Sequence, residues 1–150
     1  MRRELGFTLI ELLVVFAIGA LLVGVAPFAF ERLREVTQYR DTLRTMLTEL
    51  RTARYRAFSE RIETRFQIDL KRRTYGMDST PDRHAVPESL RVRATVASNA
   101  MLSDSVAAIR FLPEGGATGG SIEVIRPSGQ GVRLRVDWLS GAVSQEALSP

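Results

Sequence analysis

The sequence predicts an α+β fold in which one long N-terminal helix packs on an antiparallel β-sheet. Residues 7–59 are first continuously apolar and then apolar at every third or fourth position, a pattern typical of a long helix. After residue 61 the chain changes to short segments of alternating apolar and polar residues, separated by turn-forming residues, as in sheets. Because the helix comes first and the strands follow, we expect one small domain with a helical layer and a β layer.

The first half of the helix, residues 7–30, is apolar enough to span a membrane. Its 24 residues would measure about 36 Å as a helix, and the hydrocarbon core of a bilayer is about 30 Å thick. Arg2 and Arg3 precede this run and predict a cytoplasmic N-terminus. The rest of the chain, after residue 30, is then expected on the far side of the membrane.

One carboxylate, Glu11, lies inside the apolar run. An unpaired charge there is costly, and by default it indicates a functional site with a partner. A removable secretory signal would have a shorter apolar core and a small-residue cleavage site, and an ordinary membrane anchor gives no reason for Glu11. The remainder of residues 7–30 offers no cation. We therefore expect the partner of Glu11 to come from a neighbouring chain.

Residues 31–59 predict the amphipathic second half of the helix. Neither Pro nor Gly occurs between residues 28 and 75, and charged residues occupy the face opposite the apolar one. We expect the apolar face to be core, because most helical stability comes from tertiary packing. This face consists of Val36, Tyr39, Leu43, Met46, Leu47, Leu50, Ala53 and Ala57.

The last part of the chain, residues 60–150, predicts a β-rich globular domain. Polar, irregular loops are expected at residues 78–88 and 97–105, and they are candidates for contact with partner proteins. The tail from residue 144 is expected to be loose. Strand patterns occur at residues 62–70, 74–77, 90–96, 106–112, 122–125, 132–136 and 142–143.

The composition excludes several classes of site. The chain has no cysteine, so thiol nucleophiles, zinc fingers and iron–sulfur sites are absent. Its only histidine, His84, lies in a loop with nearby prolines and is not accompanied by a nucleophile motif. The acidic residues lack the spacing of a calcium loop. We therefore expect no catalytic residues, no metal and no cofactor.

The net charge of +4 is unevenly distributed. Residues 31–75 carry twelve Arg or Lys against seven acidic residues, whereas residues 76–150 carry seven against eight. Anionic lipid headgroups are one candidate partner for the basic half, but we prefer a solvated helix face of mixed charge. Nucleic acid is an unfavoured partner, because the arginines that could line a phosphate strip lie in the half that is net negative. They are Arg91, Arg93, Arg126, Arg133 and Arg135.

The N-terminal segment from Gly6 to Val14 resembles the class III signal of type IV pilins and pseudopilins. Gly6, the following Phe7, Glu11 and the apolar run all match that signal in register. The resemblance implies that a prepilin peptidase cleaves between Gly6 and Phe7 and methylates the new amine of Phe7. It also implies that Glu11 meets the N-terminus of a neighbouring subunit during assembly. Residues 1–6 would then be a cleaved leader, and the fold would be pilin-like.

The last third of the chain resembles the H-type minor pseudopilins of type II secretion systems. They carry a Phe-x-Pro-acidic-Gly segment, a Thr-Gly-Gly and a terminal Asp-Trp-Leu-Thr-Gly, and here Ser140 replaces the Thr and Glu114 stands at the acidic position. We expect the glycine-rich segment to connect strands through positive φ angles. We expect Trp138 to anchor the core, with an interface role as the alternative. The matching residues are Phe111, Pro113, Gly115, Thr118, Gly119, Gly120, Asp137, Trp138 and Gly141.

This second resemblance implies a minor pseudopilin that assembles near the tip of a pseudopilus and supports export of folded proteins across the outer membrane. It implies a single-pass inner-membrane protein with its C-terminal domain in the periplasm. Its implied partners are other minor and major pseudopilins, the prepilin peptidase and inner-membrane lipid. The alternative is a minor pilin of a type IV pilus, of the fimbrial T or U type, with a role in DNA uptake.

Overall fold

The computed structural model describes residues 8–97, 101–103 and 105–148, and within these ranges the side chains of residues 23–32 are not described. The chain divides into two compact units, Met1–Thr37 and Gln38–Pro150. Helix α1 (Leu9–Glu60) contributes residues to both units. The expected helix from Phe7 to about Ser59 is therefore confirmed, although Phe7 lies outside the described residues.

In the first unit, α1 begins with an N-cap. The Glu11 N–H points at both the hydroxyl and the carbonyl oxygen of Thr8, at 3.3 and 3.1 Å, so Thr8 satisfies a donor that the first turn leaves open. The large apolar side chains between Leu9 and Leu22 are exposed.

The membrane-spanning interpretation of residues 7–30 includes residue 7 and several side chains that lie outside the description. Among the residues that are described, no helix is long and apolar enough to cross a membrane.

The second unit contains the sheets. Within the described residues, nine strands form two antiparallel sheets, in the orders β3-β2-β1-β6-β5 and β4-β7-β8-β9. The α+β class is confirmed. The strands are β1 (Thr64–Asp69), β2 (Thr74–Met77), β3 (His84–Ala85), β4 (Arg91–Thr95), β5 (Met101–Ser103), β6 (Val106–Phe111), β7 (Gly120–Ile125), β8 (Gly131–Val136) and β9 (Val143–Leu148).

From Tyr39 to Ala57, the apolar face predicted for the second half of α1 forms the core with the inner faces of both sheets, and Val36 is not part of this cluster. Met46, Leu50 and Ala53 on α1 are fully buried in one cluster with apolar residues of both sheets. Leu43 and Leu47 pack against the same cluster while partly exposed. Burial of this face stabilises the helix by roughly 1.5–3 kcal/mol for each large side chain. The sheet residues of the cluster include Phe66, Ile68, Ile109, Phe111, Ile122, Val124, Leu134 and Val136.

Three expectations about loops and the tail were wrong in part, because each segment contains a strand at a sheet edge. The loop expected at residues 78–88 contains β3, which pairs with β2, and the loop expected at residues 97–105 contains β5, which pairs with β6. The tail expected to be loose from residue 144 is most of β9, which pairs with β8 along its whole length. Each is held by backbone hydrogen bonds to one neighbour, and β5 and β9 bury little side-chain surface, so they leave little apolar alternation.

Candidate functional site

The glycine-rich segment between β6 and β7 is a tight connector. The Gly115 N–H donates to the Leu112 carbonyl, and the Leu112 N–H donates to the Gly116 carbonyl, both at 3.1 Å. Gly115 and Gly116 have φ angles of +104° and +88°, which residues other than glycine rarely adopt. The expectation of a connector with positive φ angles is confirmed.

The turn at residues 137–141, between β8 and β9, is held by Asp137. One carboxylate oxygen of Asp137, Oδ1, accepts hydrogen bonds from the Ser140 N–H and from the Ser140 hydroxyl, both at 2.8 Å. The Gly141 N–H donates to the Asp137 carbonyl at 2.9 Å, and Gly141 has a φ of +64°. Ser140, which stands where the related motif has Thr, therefore supplies the hydroxyl that this turn uses.

The connector between β6 and β7 contacts the turn at residues 137–141. The Ala117 N–H donates to the Trp138 carbonyl at 2.9 Å. A Cβ atom at Gly116 would lie 3.1 Å from the carbonyl oxygens of Trp138 and Leu139, and one at Gly119 would lie 3.0 Å from the Trp138 Cβ. The glycines therefore permit backbone contact between the connector and the turn, so the two motifs form one structural unit.

The remaining motif residues attach this unit to the sheets. Phe111 is fully buried in the core, and Thr118 exchanges two hydrogen bonds with the backbone of Arg110, at 2.9 and 3.1 Å. Gly120 begins β7 at a φ of +139°, where a Cβ would lie 2.8 Å from the Thr95 carbonyl oxygen of β4. Pro113 is half-buried in the connector.

The core position expected for Trp138 is wrong. This residue was expected to anchor the core, yet 68% of its surface is exposed, and Leu139 beside it is 70% exposed. Both residues lie in the turn at residues 137–141, where no strand alternation directs a side chain inward. The alternative, an interface role, agrees with two adjacent exposed apolar side chains on a rigid turn.

Replacing Gly116 with Ala is expected to separate the connector from the turn. The new Cβ would press on two carbonyl oxygens at 3.1 Å, in addition to the strain of a positive φ. Gly115→Ala is the matched control, because its φ is also positive but nothing described lies within 4 Å of the added atom. Urea denaturation should show Gly116→Ala destabilised more than Gly115→Ala by about 1 kcal/mol or more. Equal losses would contradict the contact between the motifs.

Asp137 is expected to make the stability of the protein dependent on pH. Hydrogen bonds from the Ser140 backbone, followed by that from its hydroxyl, lower the pKa of Asp137 below its usual value of 3.8. A lowered folded-state pKa contributes stability above the unfolded pKa, and this contribution is lost as the pH falls through the lower value. Asp137→Asn should therefore be less stable than the unmodified chain at pH 7, and the difference should shrink as the pH falls below about 4. Urea denaturation at pH 7 and pH 3 measures this, and a difference that does not change with pH would contradict it.

A groove of about 540 Å³ lies beside the connector. The α1 side chains Tyr55 and Phe58 line it and are 71% and 58% exposed. Arg51 and Arg54 of α1 line the same groove. The other lining residues are Leu112, Gly115, Gly116, Ala142 and Val143. The sequence pattern does not predict this groove, and its one signal is the pair of aromatic residues on α1 outside the apolar face, Tyr55 and Phe58.

The N-terminal candidates are only partly described. Gly6 and Phe7 lie outside the described residues, as does the whole leader. Glu11 lies in the first turn of α1 and forms no ion pair with any described cation. The spacing of Thr8 and Glu11 also fits a capping box, which is a sequence signal for the start of a helix.

His84 and Arg133, the candidates for catalysis and for phosphate binding, both contact neighbouring side chains. His84 is 3.7 Å from the Glu49 carboxylate, and its ring packs on Tyr75 with centroids 5.3 Å apart. Arg133, one of the five arginines considered as a possible phosphate strip, pairs with Glu123 at 2.7 Å and lies 3.7 Å from Glu146, so these carboxylates offset its charge. Across the described residues, no group of three or more acidic or histidine side chains is placed to hold a metal ion.

Matches to two family models show which protein family the chain belongs to. The family model for a prokaryotic N-terminal methylation motif matches residues 1–27. The family model for the type II transport protein GspH matches residues 42–141, which include the connector and the turn. The chain belongs to the GspH family. It is therefore a minor pseudopilin of type II secretion, and the type IV pilus alternative is not favoured.

Individual relatives agree with this assignment. The GspH-family chain is 30% identical over 145 residues to the type II secretion system protein H of Xanthomonas campestris pv. campestris, covering 95% of this chain and 83% of that protein. Its fold is similar to the minor pseudopilin EpsH from the type 2 secretion system of Vibrio cholerae, with a TM-score of 0.55 and 12% identity, covering 75% of this chain and 98% of EpsH. The pilin-like fold is confirmed, and other pseudopilins are the partners that the family implies.

Proposed function

We propose that this GspH-family subunit is made with its N-terminus in the cytoplasm and enters the inner membrane once. In this proposal residues 1–6 are a leader that a prepilin peptidase removes after Gly6, and Phe7 becomes the methylated N-terminus. Residues 7–30 lie in the lipid, and residues 31–59 and 60–150 lie in the periplasm. The match to the methylation motif at the N-terminus, followed by the GspH match, supports this arrangement. The exposed apolar side chains between Leu9 and Leu22 are also suited to lipid.

Assembly in this proposal depends on Glu11. Its carboxylate pairs with the methylated amine of Phe7 on a neighbouring subunit, which removes two unpaired charges from lipid at once. Glu11 has no described cation partner within its own chain, which supports a partner in another subunit. The subunit joins the minor pseudopilins near the tip of the pseudopilus, where it supports export of folded proteins across the outer membrane.

The subunit acts by assembly and not by catalysis. We propose no enzymatic activity, no cofactor and no nucleic-acid partner. The engagement of His84 with Glu49 and Tyr75, and the pairing of Arg133 with Glu123, support this. The connector and the turn serve to build a rigid surface for neighbouring pseudopilins.

Deletion and complementation test the proposed function. Deleting the coding sequence should stop secretion of folded exoproteins, which should then accumulate in the periplasm. The unmodified chain supplied in trans should restore secretion. Unchanged secretion in the deletion strain would contradict the proposal.

A further inference from the structure

The groove beside the connector has an unusual combination of apolar walls and cationic side chains. Its walls include the exposed aromatic rings of Tyr55 and Phe58, and its volume of about 540 Å³ can hold a few side chains of a partner. The glycine connector at Gly115 and Gly116 leaves one side of the groove without side chains. An apolar segment of another protein can therefore reach the aromatic rings.

The charged groups of the groove have one sign. Arg51 and Arg54 line it, and none of the described residues that line it is a carboxylate. Neither arginine forms an ion pair with a carboxylate in the part of the chain that is described. Arg56, on the same helix but outside the groove, is paired with Glu60 at 2.9 Å. Two unpaired guanidinium groups beside exposed aromatic rings favour an occupant that brings its own carboxylates.

A third arginine adds to the positive charge. Helix α1 ends at Glu60, and Arg61 follows in the left-handed conformation with a φ of +56°. Its guanidinium lies 5.3 Å from the centre of the Phe58 ring. The ring that faces the groove is therefore itself next to a cation.

We propose that this groove binds an acidic segment of another pseudopilin, with an apolar side chain against Tyr55 and Phe58 and a carboxylate on Arg51 and Arg54. The proposal rests on the proposed function and specifies the chemistry of the partner. A second copy of this chain and a lipid acyl chain are the competing occupants.

Site-specific photo-crosslinking in cells that secrete through this system tests the proposal. The full chain carries p-benzoylphenylalanine at position 58 or, in a second variant, at position 55. Leu70, which is exposed in the turn after β1 and does not line the groove, is the control position. Mass spectrometry of the adducts should identify a peptide of another pseudopilin that contains Asp or Glu near the crosslinked residue, at positions 55 and 58 but not at position 70.

Charge reversal then tests the role of the arginines. Arg54→Glu should lower the adduct yield about tenfold, which corresponds to about 1.4 kcal/mol. Arg40→Glu, an exposed change on the same helix away from the groove, should leave the yield unchanged. Changing the partner's carboxylate to Arg should restore the adduct with Arg54→Glu, a result that a merely misfolded variant would not give.

The proposal is overturned by an adduct to a second copy of the chain, to lipid or to a peptide without acidic residues. It is also overturned if neither position 55 nor position 58 gives an adduct, or if Arg54→Glu leaves the yield unchanged. Failure of the proposed function is distinct, because secretion would then survive deletion of the chain. If only this inference fails, deletion still stops secretion.

Discussion

Changing Glu11 to Ala is expected to abolish entry of the subunit into the pseudopilus. The change removes one partner of the proposed ion pair and leaves the amine of the neighbouring Phe7 unpaired in lipid. Removing one member of a buried ion pair costs about 3–5 kcal/mol, which lowers an association constant by more than a hundredfold. Crosslinking between subunits in intact cells, together with secretion of an exoprotein, measures the effect.

Two variants separate the charge of Glu11 from other effects of the change. Glu11→Gln keeps the size of the side chain but removes the charge, and it should fail as Glu11→Ala does. Glu35→Gln, a carboxylate of α1 beyond the apolar run, is the control and should assemble normally. Because the Thr8 hydroxyl accepts from the Glu11 backbone N–H, either change at Glu11 keeps this cap hydrogen bond. Normal crosslinking with Glu11→Gln would contradict the ion pair.

Changing Phe111 to Ala is expected to be the most destabilising of the substitutions considered in the globular unit. Phe111 ends β6, is fully buried, and belongs to the core shared by α1 and both sheets. Truncating a buried Phe to Ala costs about 3–5 kcal/mol, a large part of the 5–15 kcal/mol by which a typical domain is stable. Urea denaturation of the detergent-solubilised chain, followed by near-ultraviolet circular dichroism of the buried Tyr39 and Tyr75, measures this loss.

Phe58→Ala is the control for Phe111→Ala. It removes the same atoms from a side chain that is 58% exposed, so we expect a loss of about 1 kcal/mol or less, including its contact with Arg61. Similar losses for the two variants would contradict the placement of Phe111 in the core.

The regular elements could be predicted because their burial is periodic. From Tyr39 to Ala57 the apolar face of α1 repeats every three or four residues and packs in the core as expected, and β4 has arginines on its exposed face and Val92 and Ala94 on the other. Strands β5 and β9 could not be predicted in this way, since backbone pairing with one neighbour holds them and most of their side chains stay at the surface.

The sequence motifs of the connector and the turn could be predicted, but the surface that they form together could not. The glycines indicated positive φ angles, whereas the packing of Gly116 on the carbonyls of Trp138 and Leu139 depends on two turns far apart in sequence. The exposure of Trp138 follows from its position in the turn, and residue type alone favoured the core. The groove depends on where α1 lies relative to the connector, which periodicity does not specify.

The mass of the mature N-terminal peptide tests directly whether the chain is processed between Gly6 and Phe7, as assembly into a pseudopilus requires. The chain should be isolated from cells with an active prepilin peptidase, and its N-terminal peptide should be sequenced by mass spectrometry. We expect a peptide that begins at Phe7 and carries one additional methyl group on its amine. A mature chain that still begins at Met1, or that is cleaved at any bond other than Gly6–Phe7, would contradict processing and assembly as a pseudopilin.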